Sequence, residues 1–149
     1  YTMDFVNSMY GTLIKSKINI QVDAESEVII NCSPGAYSQI LMILVSNSLL
    51  HAYDVNDEGL IQINIKTKDN LAVITYNDDG KGIGKKDMKH IYEPFFTTKR
   101  GSGGSGLGLN ILYSLITNNG KGNVICKSKL GEGVEFIITL PMNLEKVSK

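Results

Sequence analysis

The sequence has no tryptophan, three prolines and two cysteines among its 149 residues. Cys32 and Cys126 lie in apolar stretches and lack the CxxC or Cys/His spacing of a zinc site. We therefore expect two buried, reduced thiols and no structural zinc. Long apolar runs are absent too, since none reaches the roughly 18 residues that a membrane-spanning helix needs. We do not expect this chain to span or contact a membrane.

An excess of charge of either sign is also missing. Lys and Arg together number 15, as do Asp and Glu, so the formal net charge is zero. No nucleic acid partner is expected, because a broad basic surface cannot form. The hydrophobic content of 42% is typical of a globular domain. The length and even composition predict one domain over residues 1–149, and the start at Tyr1 inside a helical pattern suggests a piece of a longer protein.

Helical and strand periodicities alternate along the chain. Helices are expected from the start to about residue 17, from Pro34 onwards behind a Ser33 N-cap, at 87–92 and at 107–118. Strands are expected at 18–22, 28–32, 61–67, 71–77, 123–129 and 134–140, and Asp69-Asn70 is a predicted hairpin turn. These elements predict an α+β sandwich, with a sheet covered on one face by helices.

Two polar residues interrupt the helix that starts at Pro34, which is apolar on nearly all sides. Asn47 and His51 are one turn apart and share a face. An unsatisfied buried amide costs about 1–3 kcal/mol, so Asn47 needs a partner. Asn47 either caps a neighbouring loop or offers its amide oxygen to a hard cation such as Mg²⁺. His51 is either a hydrogen-bonded helix-end histidine or a donor to an anion.

The stretch NDDGKGIG, residues 77–84, directly follows a predicted strand. Asp and Gly are common in any turn, so the pattern alone is weak. A carboxylate at a strand end can also accept a hydrogen bond from an exocyclic amino group. The neighbouring glycines would then let a flat ring approach the backbone closely.

The longest irregular segment is residues 93–106, preceded by Ile91 and Tyr92 in the stretch IYEPFFTTK. Phe95 and Phe96 either attach this loop to the core or form a latch whose docking depends on a ligand. Thr97, Thr98 and Lys99 follow as candidate anion donors.

The glycines of residues 101–106 resemble a flexible linker. They also run directly into a predicted helix, where backbone N–H groups and the helix dipole favour a phosphate. The chain contains no GxxxxGK[ST] loop, and the predicted topology is not that of a Rossmann fingerprint. Both the linker and the phosphate-loop interpretation remain open on this evidence.

Taken in order, these motifs resemble those of a known family. Asn47, the stretch DDGKGI (78–83), EPFFTTK (93–99) and GSGLGL (104–109) look like the N, G1, F and G2 boxes of sensor histidine kinases, and Gly131-Glu132-Gly133 is G3-like. The whole chain resembles the catalytic and ATP-binding domain of these kinases in the GHKL superfamily. The resemblance implies a two-layer α/β sandwich with a mixed, mostly antiparallel sheet and a mobile ATP lid.

The resemblance also implies a reaction and partners. The domain would bind ATP with Mg²⁺ and transfer the γ-phosphoryl group to a histidine on an adjoining phosphoacceptor and dimerisation domain, upstream of a response regulator. It would be a cytoplasmic domain, monomeric in isolation, within a kinase whose membrane anchoring the sequence leaves open. Only His51 and His90 are present, and neither has the context of a phosphoacceptor H-box.

Individual residue roles follow from the same resemblance. Asp78 would accept the adenine amino group, with Gly80, Gly82 and Ile83 along the ring. Asn47 would hold Mg²⁺, and Asn47, His51 and Lys99 would be catalytic. The other implied ATP contacts are Phe95 in the latch, Thr98 near the phosphates, and the backbone amides of Gly104, Ser105, Gly106, Leu107, Gly108 and Leu109.

Two positions depart from the family pattern. Ile43 stands where ATP-hydrolysing relatives such as DNA gyrase, Hsp90 and the mismatch-repair ATPases carry a glutamate base. Val134 stands where a threonine often follows the second G3 glycine. Ile43 argues against a gyrase-type ATPase and against the related anti-sigma-factor serine kinases. A regulatory module that binds partners and no nucleotide is a further alternative.

Overall fold

The computed structural model describes residues 1–13, 15–25, 27–97 and 106–143. The helices are α1 Thr2–Ser8, α2 Tyr10–Leu13, α3 Pro34–Asn47, α4 Lys85–Met88 and α5 Gly108–Ser114. The strands are β1 Lys17–Ala24, β2 Glu58–Lys68, β3 Leu71–Asp78, β4 Asn123–Ser128 and β5 Val134–Pro141. Helices α3 and α5 each continue as a π-helical turn, Ser48–Ala52 and Leu115–Asn119.

The strands form one five-stranded sheet in the order β1-β2-β3-β5-β4. Only β1 and β2 are parallel, and the other neighbours are antiparallel. The β2–β3 hairpin turns at Asp69 and Asn70, whose φ angles of 51° and 66° suit the two-residue turn that such strands favour. The predicted α+β sandwich with a mixed, mostly antiparallel sheet is confirmed.

The core lies between one face of the sheet and the helices. Residues of β3 and β5 alternate between buried and half-buried, as expected when one face of a sheet packs against helices. Helix α3 contributes Ile40, Leu41, Leu44 and Val45, each at most 1% exposed. Its predicted central position is therefore confirmed, and its N-terminus is capped as expected by Ser33 Oγ, which accepts from Ala36 N at 3.2 Å.

Three predicted elements differ from the structure. Residues 28–32 form no strand and meet the sheet only at an Ile30–Met142 bridge, because β3 and β4 already occupy both edges of β5. The single helix predicted at the start is divided into α1 and α2, and α2 ends at Leu13 instead of near Lys17, after Gly11 and Thr12, which are poor helix formers. The short helix begins at Lys85 instead of Asp87, since Gly84 O already accepts the first helical hydrogen bonds.

Candidate functional site

A cavity of about 350 Å³ opens between the end of α3, the loop after β3, the start of α5 and the β4–β5 turn. Its volume is within the usual range for small-molecule sites. Eight of the residues to which the resemblance assigns an ATP contact line it: Asn47, His51, Asp78, Gly82, Ile83, Gly106, Gly108 and Leu109. The fold thus brings together residues from three separated motifs.

Other predicted residues lie beside the cavity. Gly80 packs against the π-turn after α3, where an added Cβ would lie 2.4 Å from Ala52 Cβ. Leu107 immediately precedes α5, and Phe95 is 59% exposed while its neighbour Phe96 lines the cavity. The predicted positions Thr98, Lys99, Gly104 and Ser105 lie outside the described residues.

Sequence reasoning missed much of the apolar lining. Leu50 could have been found, because it lies three residues after Asn47 on the same helical face. Ile91 and Leu130 carry no such signal, since they reach the cavity from a turn and a hairpin loop. Asp87, on α4, is the second carboxylate among the described lining residues.

The Asp78 carboxylate forms the buried end of the cavity, at the end of β3 and only 7% exposed. Its Oδ1 accepts from Gly80 N at 3.1 Å and from Val134 N at 3.2 Å. Its Oδ2 accepts from Ser48 Oγ at 2.7 Å. Each carboxylate oxygen has about two acceptor positions, so Oδ2 keeps one for a ligand donor.

Opposing effects act on the ionisation of Asp78. Burial raises the pKa of its carboxyl group, and the hydrogen bonds from Ser48, Gly80 and Val134 lower it, so that the pKa remains raised overall. The charge of Asp79 adds a smaller upward contribution to that pKa. Asp78 is therefore easier to protonate than an exposed aspartate.

The adjacent Asp79 has a structural role, because its side chain hydrogen-bonds to other parts of the fold. Its Oδ1 accepts from Tyr53 Oη at 2.8 Å and from Leu60 N at 2.9 Å, which connects the end of β3 to the start of β2. Burial and the hydrogen bond to Asp79 raise the pKa of the Tyr53 phenol. Tyr53 therefore stays a neutral donor, and Asp79 holds the loop that presents Asp78.

Two glycines let the loop after β3 approach the β4–β5 turn. Gly82 and Gly133 both have φ 74°, and an added Cβ would lie 2.0 Å from Lys129 O or Asp78 O respectively. Ser128 Oγ connects the same two segments, because it accepts from Ile83 N and donates to Gly133 O, both at 2.7 Å. This end of the cavity is held by the protein's own contacts.

The opposite end is formed by Asn47, His51 and the start of α5. Asn47 faces the cavity, and no hydrogen bond from another residue in the described ranges satisfies its side-chain amide. Gly106 is held close to Phe95, whose N donates to Gly106 O at 2.8 Å. Gly108 has more room, since among the described residues an added Cβ would meet only Ile43 Cγ2, at 3.5 Å.

A metal-binding side-chain cluster and a membrane-crossing helix are both absent from the described part of the chain. No group of three or more His, Cys, Asp or Glu side chains is placed to hold a metal ion. No helix there has the length and apolarity needed to cross a bilayer. Cys32 and Cys126 are both free and only partly buried, so the expectation that the two thiols are buried is wrong.

Comparisons with known proteins agree with the geometry. Residues 33–144 match the family described as histidine kinase-, DNA gyrase B- and HSP90-like ATPase. Sporulation kinase E of Bacillus subtilis is 31% identical over 143 residues, which cover 95% of this chain and 18% of that protein. The sensor histidine kinase ZraS of Salmonella typhimurium is 35% identical over 114 residues, covering 76% of this chain and 23% of that protein.

A solved structure has the same fold. The nucleotide-free catalytic domain of the histidine kinase ThkA superposes with a TM-score of 0.80 at 26% identity, covering 97% of this chain and 91% of that one. The chain spans about a fifth of the length of the two curated kinases above. It belongs to the histidine kinase-, DNA gyrase B- and HSP90-like ATPase family, as an ATP-binding catalytic domain of the sensor histidine kinase type.

Proposed function

We propose that this chain binds ATP with Mg²⁺ in the cavity and transfers the γ-phosphoryl group to a histidine on an adjoining dimerisation domain. The observation that carries the proposal is the buried Asp78 carboxylate, which faces the cavity with one acceptor position open. An adenine amino group is a donor of the right kind for this position. A downstream response regulator would receive the phosphoryl group from the histidine.

The rest of the buried end suits a flat purine ring. Gly82 and Ile83 line one side, and Ile91 and Leu130 add apolar surface. Gly80 acts through the backbone, because its close packing against Ala52 sets the path of the loop. Val134 supplies its N–H to Asp78 Oδ1, a contact that does not need the hydroxyl of a threonine.

The open end suits a triphosphate. The Asn47 amide oxygen is an oxygen ligand of the kind Mg²⁺ prefers, with phosphate oxygens as further ligands. When bound, the ion would neutralise the charge that develops on the phosphoryl oxygens. His51 would donate to a phosphate, and the backbone N–H groups from Gly106 to Leu109 would do the same at the start of the helical run 108–119.

The remaining assignments concern the segment between α4 and α5. Phe96 lines the cavity and its ring lies 5.6 Å from that of His90, so it is placed to hold the segment against the protein. Phe95 is its exposed neighbour in the proposed latch. Thr98, Lys99, Gly104 and Ser105 are proposed as phosphate contacts and Lys99 as a catalytic cation, on the family resemblance alone.

Ile43 supports transfer to a protein group over hydrolysis. It lines the cavity one helical turn before Asn47 and has no group that could take a proton from water. The other family-type functions, a gyrase-like ATPase or an anti-sigma-factor-like kinase, would need such a base. We also propose that residues 1–149 act as one monomeric, cytoplasmic domain without nucleic acid or membrane contacts.

The test has two arms. Calorimetry with ATP and Mg²⁺ should give one binding site per chain, and binding should weaken when Mg²⁺ is removed. The longest available form of the protein, incubated with ATP labelled at the γ-phosphate, should acquire acid-labile, alkali-stable phosphate typical of phosphohistidine. Absence of ATP binding would favour the regulatory module, and rapid ATP turnover without labelling would favour the ATPase.

A further inference from the structure

A chain of buried oxygen atoms extends from Asp78 into the core. Ser48 Oγ lies 2.7 Å from Asp78 Oδ2 and 2.7 Å from Tyr76 Oη, and either hydroxyl can donate in the second contact. Tyr76 Oη lies 3.0 Å from Leu44 O, to which it donates. Ser48 is 2% exposed and Tyr76 1% exposed, so both hydroxyls are shielded from bulk solvent.

The number of protons in this chain depends on the state of Asp78. Its two ends, an ionised carboxylate and a backbone carbonyl, are acceptors only. The two hydroxyls between them carry two protons for three oxygen–oxygen contacts. With Asp78 ionised, one contact therefore lacks a proton. With a proton on Oδ2, each contact has one: Asp78 donates to Ser48, Ser48 to Tyr76, and Tyr76 to Leu44 O.

The groups around Asp78 add no compensating positive charge in the described structure. Asp79 is a neighbouring anion, Tyr53 and Tyr76 are neutral phenols, and Cys126 on β4 is a partly buried thiol whose pKa is raised to about 12. His51 reaches the same cavity from the π-turn but has no part in the oxygen chain. Burial raises the pKa of Asp78 by more than the hydrogen bonds from Ser48, Gly80 and Val134 lower it, so the net direction of the shift agrees with the proton count.

We infer that Ser48 and Tyr76 are positioning residues that hold a proton on Asp78 in the free protein, and that an amino group of a bound purine displaces it. The inference rests on the proposed ATP site. The donated hydrogen bond from the ligand favours the carboxylate, and the proton leaves to solvent. Ser48 then donates to Asp78 and Tyr76 donates to Ser48, so the chain reverses direction. Leu44 O keeps a donor, the backbone N–H of Ser48.

This reversal predicts both a pH dependence and a ligand preference. Because the ionised form binds the amino group better, ATP affinity should fall as pH falls through the pKa of Asp78 in the free protein, by up to about tenfold per pH unit. ITP carries the same triphosphate but presents a carbonyl oxygen in place of the amino group. It therefore should displace no proton from Asp78.

The experiment measures protons exchanged on binding. Titrations of ATP and of ITP, each with Mg²⁺, are run between pH 5 and pH 8 in two buffers of different ionisation enthalpy. We expect ATP to release up to about one proton more than ITP at the acidic end, with the difference vanishing at high pH. Because both ligands carry the same triphosphate, the protons released by the phosphates or on Mg²⁺ binding cancel in the difference between ATP and ITP.

Tyr76→Phe provides the matched variant, because it removes one hydroxyl and leaves the ring. In this variant Ser48 can donate to ionised Asp78, and no oxygen–oxygen contact lacks a proton. ATP should then release no more protons than ITP, and ATP affinity at acidic pH should increase. The ¹³C shift of the Asp78 carboxyl group, followed with pH in the unmodified protein, gives a second readout that needs no variant. If ATP binds but releases no more protons than ITP, the inference about Asp78 is overturned and the proposed function stands. If ATP does not bind at any pH, the proposed function is overturned.

Discussion

The two ends of the cavity differ in how far their polar groups are hydrogen-bonded by other described residues of the protein. At the Asp78 end, three donors bind the carboxylate and two glycines are enclosed by carbonyl oxygens. At the Asn47 end, no described residue hydrogen-bonds the side-chain amide, and Gly108 has open space beside it. The buried end is thus organised before any ligand arrives, whereas the open end needs a ligand to complete its contacts.

This difference separates two reasons for a glycine-rich sequence. Around Asp78, glycine is required because any side chain would collide with the backbone. At Gly108, by contrast, the described residues leave room beside the backbone. Replacing a glycine at the buried end should therefore reduce stability, and replacing Gly108 at the open end should reduce ligand binding.

The largest effect is expected from Gly133→Ala. The methyl group would lie 2.0 Å from Asp78 O at a φ of 74°, so the hairpin turn and the end of β3 must separate. We expect a loss of about 3 kcal/mol or more in the free energy of unfolding, from overpacking combined with the left-handed backbone. Urea denaturation followed by circular dichroism measures it.

Gly131→Ala is the matched control in the same turn. Its φ is also positive, at 82°, but no other described residue beyond its two chain neighbours has an atom within 4 Å of the added methyl group. Only the backbone penalty of about 1–2 kcal/mol is expected there. Equal losses at the two glycines would mean that the close approach to Asp78 does not hold the buried end together.

The next largest effect is expected from Asp78→Asn, which should weaken ATP binding. The side chain keeps its shape, but one of its N–H groups would face the purine amino group, so two donors would meet. Loss of a charged hydrogen bond of about 1.5–3 kcal/mol corresponds to roughly 10–150-fold weaker ATP binding. Calorimetry with ATP and Mg²⁺ measures it, and unchanged affinity would remove Asp78 from the adenine site.

A smaller effect is expected from Asn47→Ala at the open end. The side chain makes no hydrogen bond within the described ranges, so the fold should tolerate its removal. ATP affinity in the presence of Mg²⁺ should fall by about tenfold, or 1.4 kcal/mol, while affinity in EDTA should stay unchanged. An equal loss under both conditions would mean that Asn47 contacts the nucleotide directly and holds no metal ion.

The same contrast shows what the sequence could predict. Local signals were sufficient for α3 with its Ser33 cap, the Asp69-Asn70 hairpin and the existence of strands β4 and β5, because each depends on residues adjacent in the chain. The grouping of Asn47, Asp78 and Gly108 in one cavity came from the family resemblance. Ser48 and Tyr76 could not be predicted, since their role depends on a contact between α3 and β3 that no local pattern records.

The smallest change in stability is expected from Gly108→Ala. The first turn of α5 accepts alanine better than glycine, and the methyl group would lie 3.5 Å from Ile43 Cγ2, an ordinary contact. The free energy of unfolding should therefore rise by up to about 1 kcal/mol. ATP affinity should fall nonetheless, because the methyl group occupies space beside the proposed phosphate position, and the larger Gly108→Val should abolish binding.

The comparison with Gly133 makes this last substitution informative. Gly133→Ala should lose stability, and binding only as a consequence, whereas Gly108→Ala should lose binding while it gains stability. Measuring both quantities for both variants separates a glycine that the fold needs from one that the ligand needs. If Gly108→Ala bound ATP as tightly as the unmodified protein, the space beside α5 would not be a phosphate position, and the open end would need a different ligand orientation.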